Sequence, residues 1–233
     1  MLRSPSLSLY SFCRFLLVGK IICPELLTNS AKSCIMFLKS FLGVNVGKVY
    51  DFEREKLIVG VIYNDEKIYE RALEMLTREF GEIDGESEHF SFSQEFSSYY
   101  DEELGGEGLR VIFSFKETVD PSRQAEIKKL TNEMERILSD GNGNRLINLD
   151  PGFINHGRLM LATTKKAGFR IPLEDGIYTE LTLFWAKGEW HKLPWSYRDY
   201  QSERVQRFIT EVRKKYLAER KALLSEGNQG DVK

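Results

Sequence analysis

Asn148, Asp150, Lys165, Arg170, Asp175 and Glu180 are the residues of this chain whose types and spacing could do chemistry. They interrupt an otherwise apolar stretch, "GNRLINLDPGFINHGRLMLATTKKAGFRI" followed by "IYTELTLFW". Asn148 and Asp150 stand two apart at the end of a predicted strand over 145–149, so alternation puts both on one side of it. If the strands that follow pair as neighbours, two or three carboxylates and a lysine converge at one end of a sheet. Such a set holds a divalent ion on oxygen ligands, with Asp150 and Glu180 as the candidate ligands of Mg or Mn. It equally suits binding and polarising a phosphate. On this basis Asp150, Lys165 and Glu180 are the candidate catalytic residues, and Asn148, Arg170 and Asp175 the candidate cofactor-binding ones.

Each residue also has a plainer explanation. Asp-Pro-Gly at 150–152 is turn chemistry, with the carboxylate bonding its own backbone and glycine supplying a positive φ. Asp175 before Gly176 leans further toward a turn. Glu180 lies among strand apolars, so it must face solvent, pair or coordinate something. Lys165 and Arg170 read as solvated charges or as structural partners of those acids. The acidic stretch "GEIDGESEHF" could add ligands through Glu82, Asp84, Glu86 and Glu88, but such runs are more often solvated loops. His89, His156 and His191 show no i, i+4 pair, and no G-x-S-x-G elbow occurs.

A second class of function comes from "GEWHKLPWSYRDY" (188–200), where Trp190, Trp195, Tyr197 and Tyr200 mix with His191, Lys192 and Arg198. Aromatic faces beside cations can stack single-stranded bases, which makes a non-catalytic module for RNA or a protein partner the alternative reading. The competing explanation is that these rings clamp the last helix to the sheet.

The elements that would position these groups are marked by periodicity and caps. "KLIVGVIY" (56–63) is a continuous β-branched run, the pattern of a strand covered on both faces. Asn64 reads as the cap of a helix through Tyr69, Ala72, Leu73, Leu76 and Phe80, closed by Gly81. "HFSFS" (89–93) alternates, as does "LRVIFSFKE" (109–117), with Leu109, Val111, Phe113 and Phe115 on one face. Asp120 and Pro121 open a second helix whose buried stripe is Ile127, Leu130, Met134, Ile137 and Leu138, and Gly141 follows it. Strands are predicted at 145–149, 158–164 and 177–185, and Ser202 opens a last helix that ends near Leu224 before a frayed tail at 225–233. Strand, helix, strand, strand, helix, strand is the split βαβ order of ferredoxin-like domains. The expected fold is therefore α+β, with a ferredoxin-like βαββαβ core, a mainly antiparallel sheet carrying its helices on one face, and an extension of two strands and a C-terminal helix.

With 233 residues, 42% of them hydrophobic and 29% charged, the chain can build one substantial core, read here as a single domain over 49–224. A net charge of −2 gives no global reason to expect nucleic acid or an acidic membrane. The average conceals a split: residues 1–48 hold six basic residues against Glu25 alone, and the remainder holds 27 basic and 34 acidic. All three cysteines, Cys13, Cys23 and Cys34, lie in that head, so the body has no thiol for a disulfide, a zinc cluster or a nucleophile. Arg14, Lys20 and Pro24 break the head's apolar run well short of the roughly 18–20 residues of a spanning helix, and no clean signal-peptide cleavage site follows. The head reads as an atypical extension from an over-long start, with Met36 as one internal candidate. The expected location is cytoplasmic.

From Lys56 to about Tyr216 the chain resembles the uncharacterised prokaryotic proteins of domain of unknown function 4416. The resemblance runs through "KLIVGVIYNDEKIYERALEML", "FGEIDGESEHFSF", "YYDEELG", "SFKETVDP", "EIKKLTN", "NLDPGFI", "LATTK", "DGIYTELTL" and "PWSYRDYQSE". It implies no established activity, although some members carry a GTP-binding label. That label can be held against the residues, because a P-loop needs G-x-x-x-x-G-K followed by Ser or Thr. "GVNVGKV" (43–49) has one residue too few between its glycines and Val49 in place of the hydroxyl, while "FLLVGKI" lacks the first glycine. "DGNG" (140–143) follows a helix and reads as its C-terminal stop. The functional expectation is a small-molecule or nucleotide/phosphate-binding domain, possible as a metal-assisted enzyme.

Overall fold

The computed structural model of the chain describes residues 49–227. The basic head of residues 1–48, with its cysteines, Met36 and the glycines of both near-P-loop runs, lies outside the described residues, as does the end of the tail at 228–233. The elements below belong to one compact unit that begins at Asp51.

Strand β1 (Glu55–Tyr63) is buried along its whole length, as its unbroken apolar run requires. It sits in a nine-stranded sheet between β4 (Leu109–Val119) and β5 (Ile147–Ile154). The order continues outward through β2 (Ile83–Glu86) on the β4 side, and through β6 (Arg158–Thr163), β8 (Tyr178–Ala186) and β7 (Ile171–Pro172) on the β5 side. The short β3 (Phe90–Ser91) pairs with β4, and β9 (Glu189–Lys192) with β8. Every registered pair is antiparallel.

Side chains alternate between two covered faces. Leu57, Val59, Val61, Val111, Phe113, Phe115, Ile147 and Leu149 pack with α1 (Glu66–Phe80) and α4 (Gln124–Ile137). Ile58, Ile112, Ile154, Leu159, Leu161 and Leu183 pack with Val205, Ile209 and Val212 of α5 (Glu203–Gly227). The expectation of helices on one face is thus corrected. A sheet whose central strand is apolar on both sides must be covered on both, and α5 supplies the second layer. Among the described residues no helix is long and apolar enough to cross a membrane.

Local chemistry sets the boundaries. Asp65, one residue past Asn64, caps α1 by accepting from the amides of Lys67 and Ile68, and Gly81 ends it at φ 88°. Asp120 caps a 3₁₀ turn, Pro121–Arg123, that runs into α4. Ile137, expected in the buried stripe of α4, is half exposed because the helix stops there. Asp140 then ties the "DGNG" turn by accepting from the amides of Asn142 and Asn144. Of the expected strand 89–93 only Phe90–Ser91 is extended, because Ser91 caps a short helix α2 (Phe92–Glu95). The edge position beside β4 is shared with β2, inside the acidic stretch. A second short helix, α3 (Asp101–Leu104), follows α2. The last helix continues through Gly227, since no breaker precedes that glycine.

Asp150, Pro151 and Gly152 form no turn: β5 runs straight through them, and the hairpin turn falls at Asn155–Gly157, where Asn155 Oδ1 accepts from the amides of Gly157 and Arg158. Pairing with β6 begins only at Gly152 opposite Leu161, so residues 147–151 present an open edge. Leu149 directs its N–H and C=O to that edge, and Pro151, two residues on, turns its nitrogen to the same side; its missing N–H therefore breaks no ladder. The two strands separate from this point. Gly152 makes the closest approach, since an added Cβ would lie 2.5 Å from Leu161 Cδ2 and 2.7 Å from the Met160 carbonyl oxygen. Gly152→Ala is expected to destabilise the protein by about 1–3 kcal/mol, seen as a lower urea midpoint. An unchanged midpoint would show that β5 and β6 can slide apart freely here.

Candidate functional site

Where β5 and β6 part, a cavity of about 80 Å³ opens. Asn148 and Asp150 line it from β5, and Leu161, Thr163, Thr164 and Lys165 from β6 and its end. Arg110 of β4, Lys128 and Asn132 of α4, and Arg145 before β5 reach it from other elements. Tyr100, Phe92, Tyr197, Asp199 and Tyr200 close the remaining side. Four cations therefore face two carboxylates.

Arg110 is 2% exposed and forms the floor. Its Nη2 lies 3.2 Å from Asp199 Oδ2 and donates to Tyr200 Oη at 3.1 Å, while Nη1 lies 3.7 Å from Asp150 Oδ2. Its Nε is buried with no partner among the described residues. The strand accommodates this side chain because Gly60 stands beneath it; an added Cβ would sit 2.5 Å from Nη2. Burial opposes the charge, but Tyr200, Asp199 and Asp150 outweigh it and hold the guanidinium above its ordinary pKa.

The open edge of β5 is satisfied by side chains of α4. Lys128 Nζ donates to the Leu149 carbonyl at 2.8 Å, and the Leu149 amide donates to Glu135 Oε1 at 2.6 Å. Lys128 also stands 3.6 Å from Asp150 Oδ1. Asn148 donates its amide to Asp150 Oδ2 at 2.6 Å and accepts from Arg145 Nη1 at 3.1 Å. Arg145 in turn makes a two-pronged pair with Glu103 of α3, at 2.7 and 2.9 Å, and reaches Glu135 at 3.1 Å. Burial pushes the Asp150 carboxyl up, but Lys128, Arg110 and the Asn148 amide prevail and hold it below the ordinary aspartate range. Burial wins at Asp199, Glu135 and Glu180, whose carboxyls are raised despite Arg110, Lys128 and Arg170 respectively.

The expected site residues divide into three groups. Asn148, Asp150 and Lys165 line the cavity. Lys165 is exposed and lies 4.5 Å from the Tyr99 ring centroid, with no ion-pair partner among the described residues. Arg170 and Glu180 form a neighbouring buried pair at 2.7 Å that reaches the cavity through Tyr197, whose Oη accepts from Arg170 Nη2 at 3.0 Å, and through Lys165, whose carbonyl accepts from Arg170 Nη1 at 2.7 Å. Burial, then Glu180, pushes the Tyr197 hydroxyl up to about 12, so it is a neutral donor. Asp175 does not line the cavity: it sits at φ 52° in the turn before β8 and pairs with Lys129 at 2.5 Å. A pairing of Asp150 with Glu180 around a metal ion also gains no support from the charges, since each already faces cations. Among the described residues no group of three or more His, Cys, Asp or Glu gathers that could hold one. The acidic stretch is spoken for as well, with Asp84 on the buried Lys56, Glu82 on Lys116, Glu86 on His89 and Glu88 on Arg204.

Sequence reasoning missed Arg110, Lys128, Arg145, Tyr100 and Asp199. The available signal was a charged residue inside each of two apolar patterns, Arg110 within β4 and Lys128 beside the stripe of α4. In "GEWHKLPWSYRDY" the rings are mostly engaged in packing. Trp190 and Tyr200 are buried, Trp190 Nε1 donates to Thr210 of α5, and Trp195 stacks on Phe169 at 4.7 Å.

A family model matches residues 53–216, described as Domain of unknown function (DUF4416). The chain belongs to this family. The matched span contains every lining residue of the cavity, from Ile62 to Tyr200. No curated protein and no solved structure matches the chain.

Two stability measurements test the charge arrangement. Arg110→Met leaves Asp199 buried without its cation and is expected to cost about 3–5 kcal/mol; a loss below about 1 kcal/mol would mean that Asp199 is neutral in the native state. Asp150 has the opposite sign to Asp199 in its pH dependence. Its depressed folded pKa means that its contribution is present above the unfolded value and is lost as pH falls through the folded one. Asp199 and Glu180, being raised, favour the fold below the unfolded value and lose that contribution as pH rises through their folded values. Asp150→Asn is therefore expected to destabilise by about 1–3 kcal/mol near pH 7 and by much less near pH 3. A gap in urea stability that does not change with pH would contradict an ionised Asp150.

Proposed function

We propose that the cavity between β5 and β6 binds the phosphate of a small molecule. The observation that carries this reading is a cation left over at the cavity. Asp150 and Asp199 engage Arg110 and Lys128, Glu103 and Glu135 engage Arg145, and among the described residues Lys165 alone of the four lining cations has no ion-pair partner. Lys165, exposed and without an ion-pair partner among the described residues, is the residue that meets the phosphate, with Arg145 beside it. Charged hydrogen bonds to such an oxyanion are each worth about 1.5–3 kcal/mol. The volume of 80 Å³ admits one small group. A nucleotide would bind with most of its bulk outside the mouth.

Several earlier expectations enter this reading in changed roles. A divalent ion such as Mg or Mn is a companion of the phosphate, because Asp150 and Glu180 face cations of their own. Glu180 and Arg170 act as positioning residues that set Tyr197. The frame is read as ferredoxin-like, supported by the antiparallel order β5-β1-β4-β2 with α1 joining β1 to β2 and α4 joining β4 to β5. The RNA or protein module loses ground, since its aromatic segment is largely buried or stacked.

Thermal-shift and calorimetric titration with inorganic phosphate, pyrophosphate and nucleotides, each with and without Mg, tests the site. Wild-type protein is expected to gain several degrees in Tm with phosphate compounds. Lys165→Ala, a surface change that leaves the fold intact, is expected to weaken binding about tenfold or more. A Tm that no phosphate compound moves would overturn the reading.

A further inference from the structure

The cationic side of the cavity is explained by a phosphate, but its strongest acceptor is not. Asp150 keeps 30% of its side chain exposed and directs an ionised carboxylate, which can only accept hydrogen bonds, into the cavity. Asn148 serves Oδ2, whereas no donor among the described residues hydrogen-bonds to Oδ1. Lys128 and Arg110 stand off at 3.6 and 3.7 Å, beyond the roughly 2.7–2.9 Å of a charge-assisted hydrogen bond. At Arg110 the nearer counter-charge is Asp199, at 3.2 Å. The carboxylate is oriented by Asn148, which is itself held by Arg145, and so has one face free.

A fully ionised phosphate cannot use that face, because it has no hydrogen to donate and the two anions repel. A ligand that carries a hydroxyl near its phosphate can. Its hydroxyl meets Asp150, with the hydroxyls of Thr163 and Tyr197 also in the lining, while its phosphate meets Lys165 and Arg145. Resting on the phosphate reading above, we propose that the ligand is a hydroxylated phosphate ester, a sugar or polyol phosphate or the ribose phosphate of a nucleotide. Asp150 Oδ1 accepts a hydrogen bond from its hydroxyl. Asp150 is then the specificity-determining residue of the site and Lys165 the affinity-determining one.

Calorimetry on the full chain with inorganic phosphate, methyl phosphate and ribose 5-phosphate separates the two readings. Ribose 5-phosphate is expected to bind wild-type protein about tenfold tighter than methyl phosphate, the worth of one hydrogen bond to a charged group. In Asp150→Asn that advantage is expected to vanish, with inorganic phosphate bound as well as before or better. If all three compounds bind wild type but with equal affinity, the proposal falls while the phosphate reading stands. It also falls if Asp150→Asn keeps the tenfold preference or weakens all three equally. If none binds, both readings fall together. The comparison of methyl phosphate with ribose 5-phosphate on wild type decides the matter even if Asp150→Asn does not fold.

Discussion

Burying the guanidinium of Arg110 against the sheet removes hydration worth several kcal/mol, and the compensation for that loss selects its neighbours. Gly60 leaves the space for it on the adjacent strand. Asp199 and Tyr200, from the turn that precedes α5, supply a carboxylate and a hydroxyl. Asp150 adds a second, more distant carboxylate from β5. One side chain thus ties two strands and the entry to the last helix to the strand that carries it. The floor of the cavity is built from that tie.

The second constraint is the open edge of β5. A buried N–H or C=O left unpaired costs about 1–3 kcal/mol, and β6 does not pair with Leu149. Lys128 and Glu135 of α4 take the place of the missing strand, one donating and one accepting. This substitution lets β6 diverge without an unsatisfied backbone. It also delivers Lys128 to the cavity, so the residue that completes the sheet contributes to the charge of the site. Arg145, tied to Glu103, Glu135 and Asn148, joins α3 to the same wall.

The elements were legible wherever a single pattern sufficed. The unbroken run of β1, the capped stripe of α1, the Asp120–Pro121 opening before α4 and the helical spacing after Ser202 all mark what they form. Asp150-Pro151-Gly152 was ambiguous, because residues that make good turns are also tolerated at a strand edge that needs no N–H. Alternation along β4 placed Leu109, Val111, Phe113 and Phe115 on one face and said nothing of the residues between them. Arg110, Ile112 and Ser114 lie under a second layer, and the unbroken apolar run of β1 was the hint of it. Asp175 illustrates the converse: proximity in number to Glu180 suggested a shared site, whereas a left-handed turn points it at Lys129.

What the sequence determined by itself was the kind of the longer elements and the side on which a strand residue falls; Asn148 and Asp150 share a face because strand geometry has a period of two. Only the tertiary structure decided that Arg110, Lys128, Arg145, Lys165 and Asp199 meet them, and that Arg170 and Glu180 stand one layer away. Periodicity is a local property of neighbouring residues. The meeting depends on strand register, on where β6 leaves β5, and on which helix covers which face, and these follow from contacts between residues tens of positions apart.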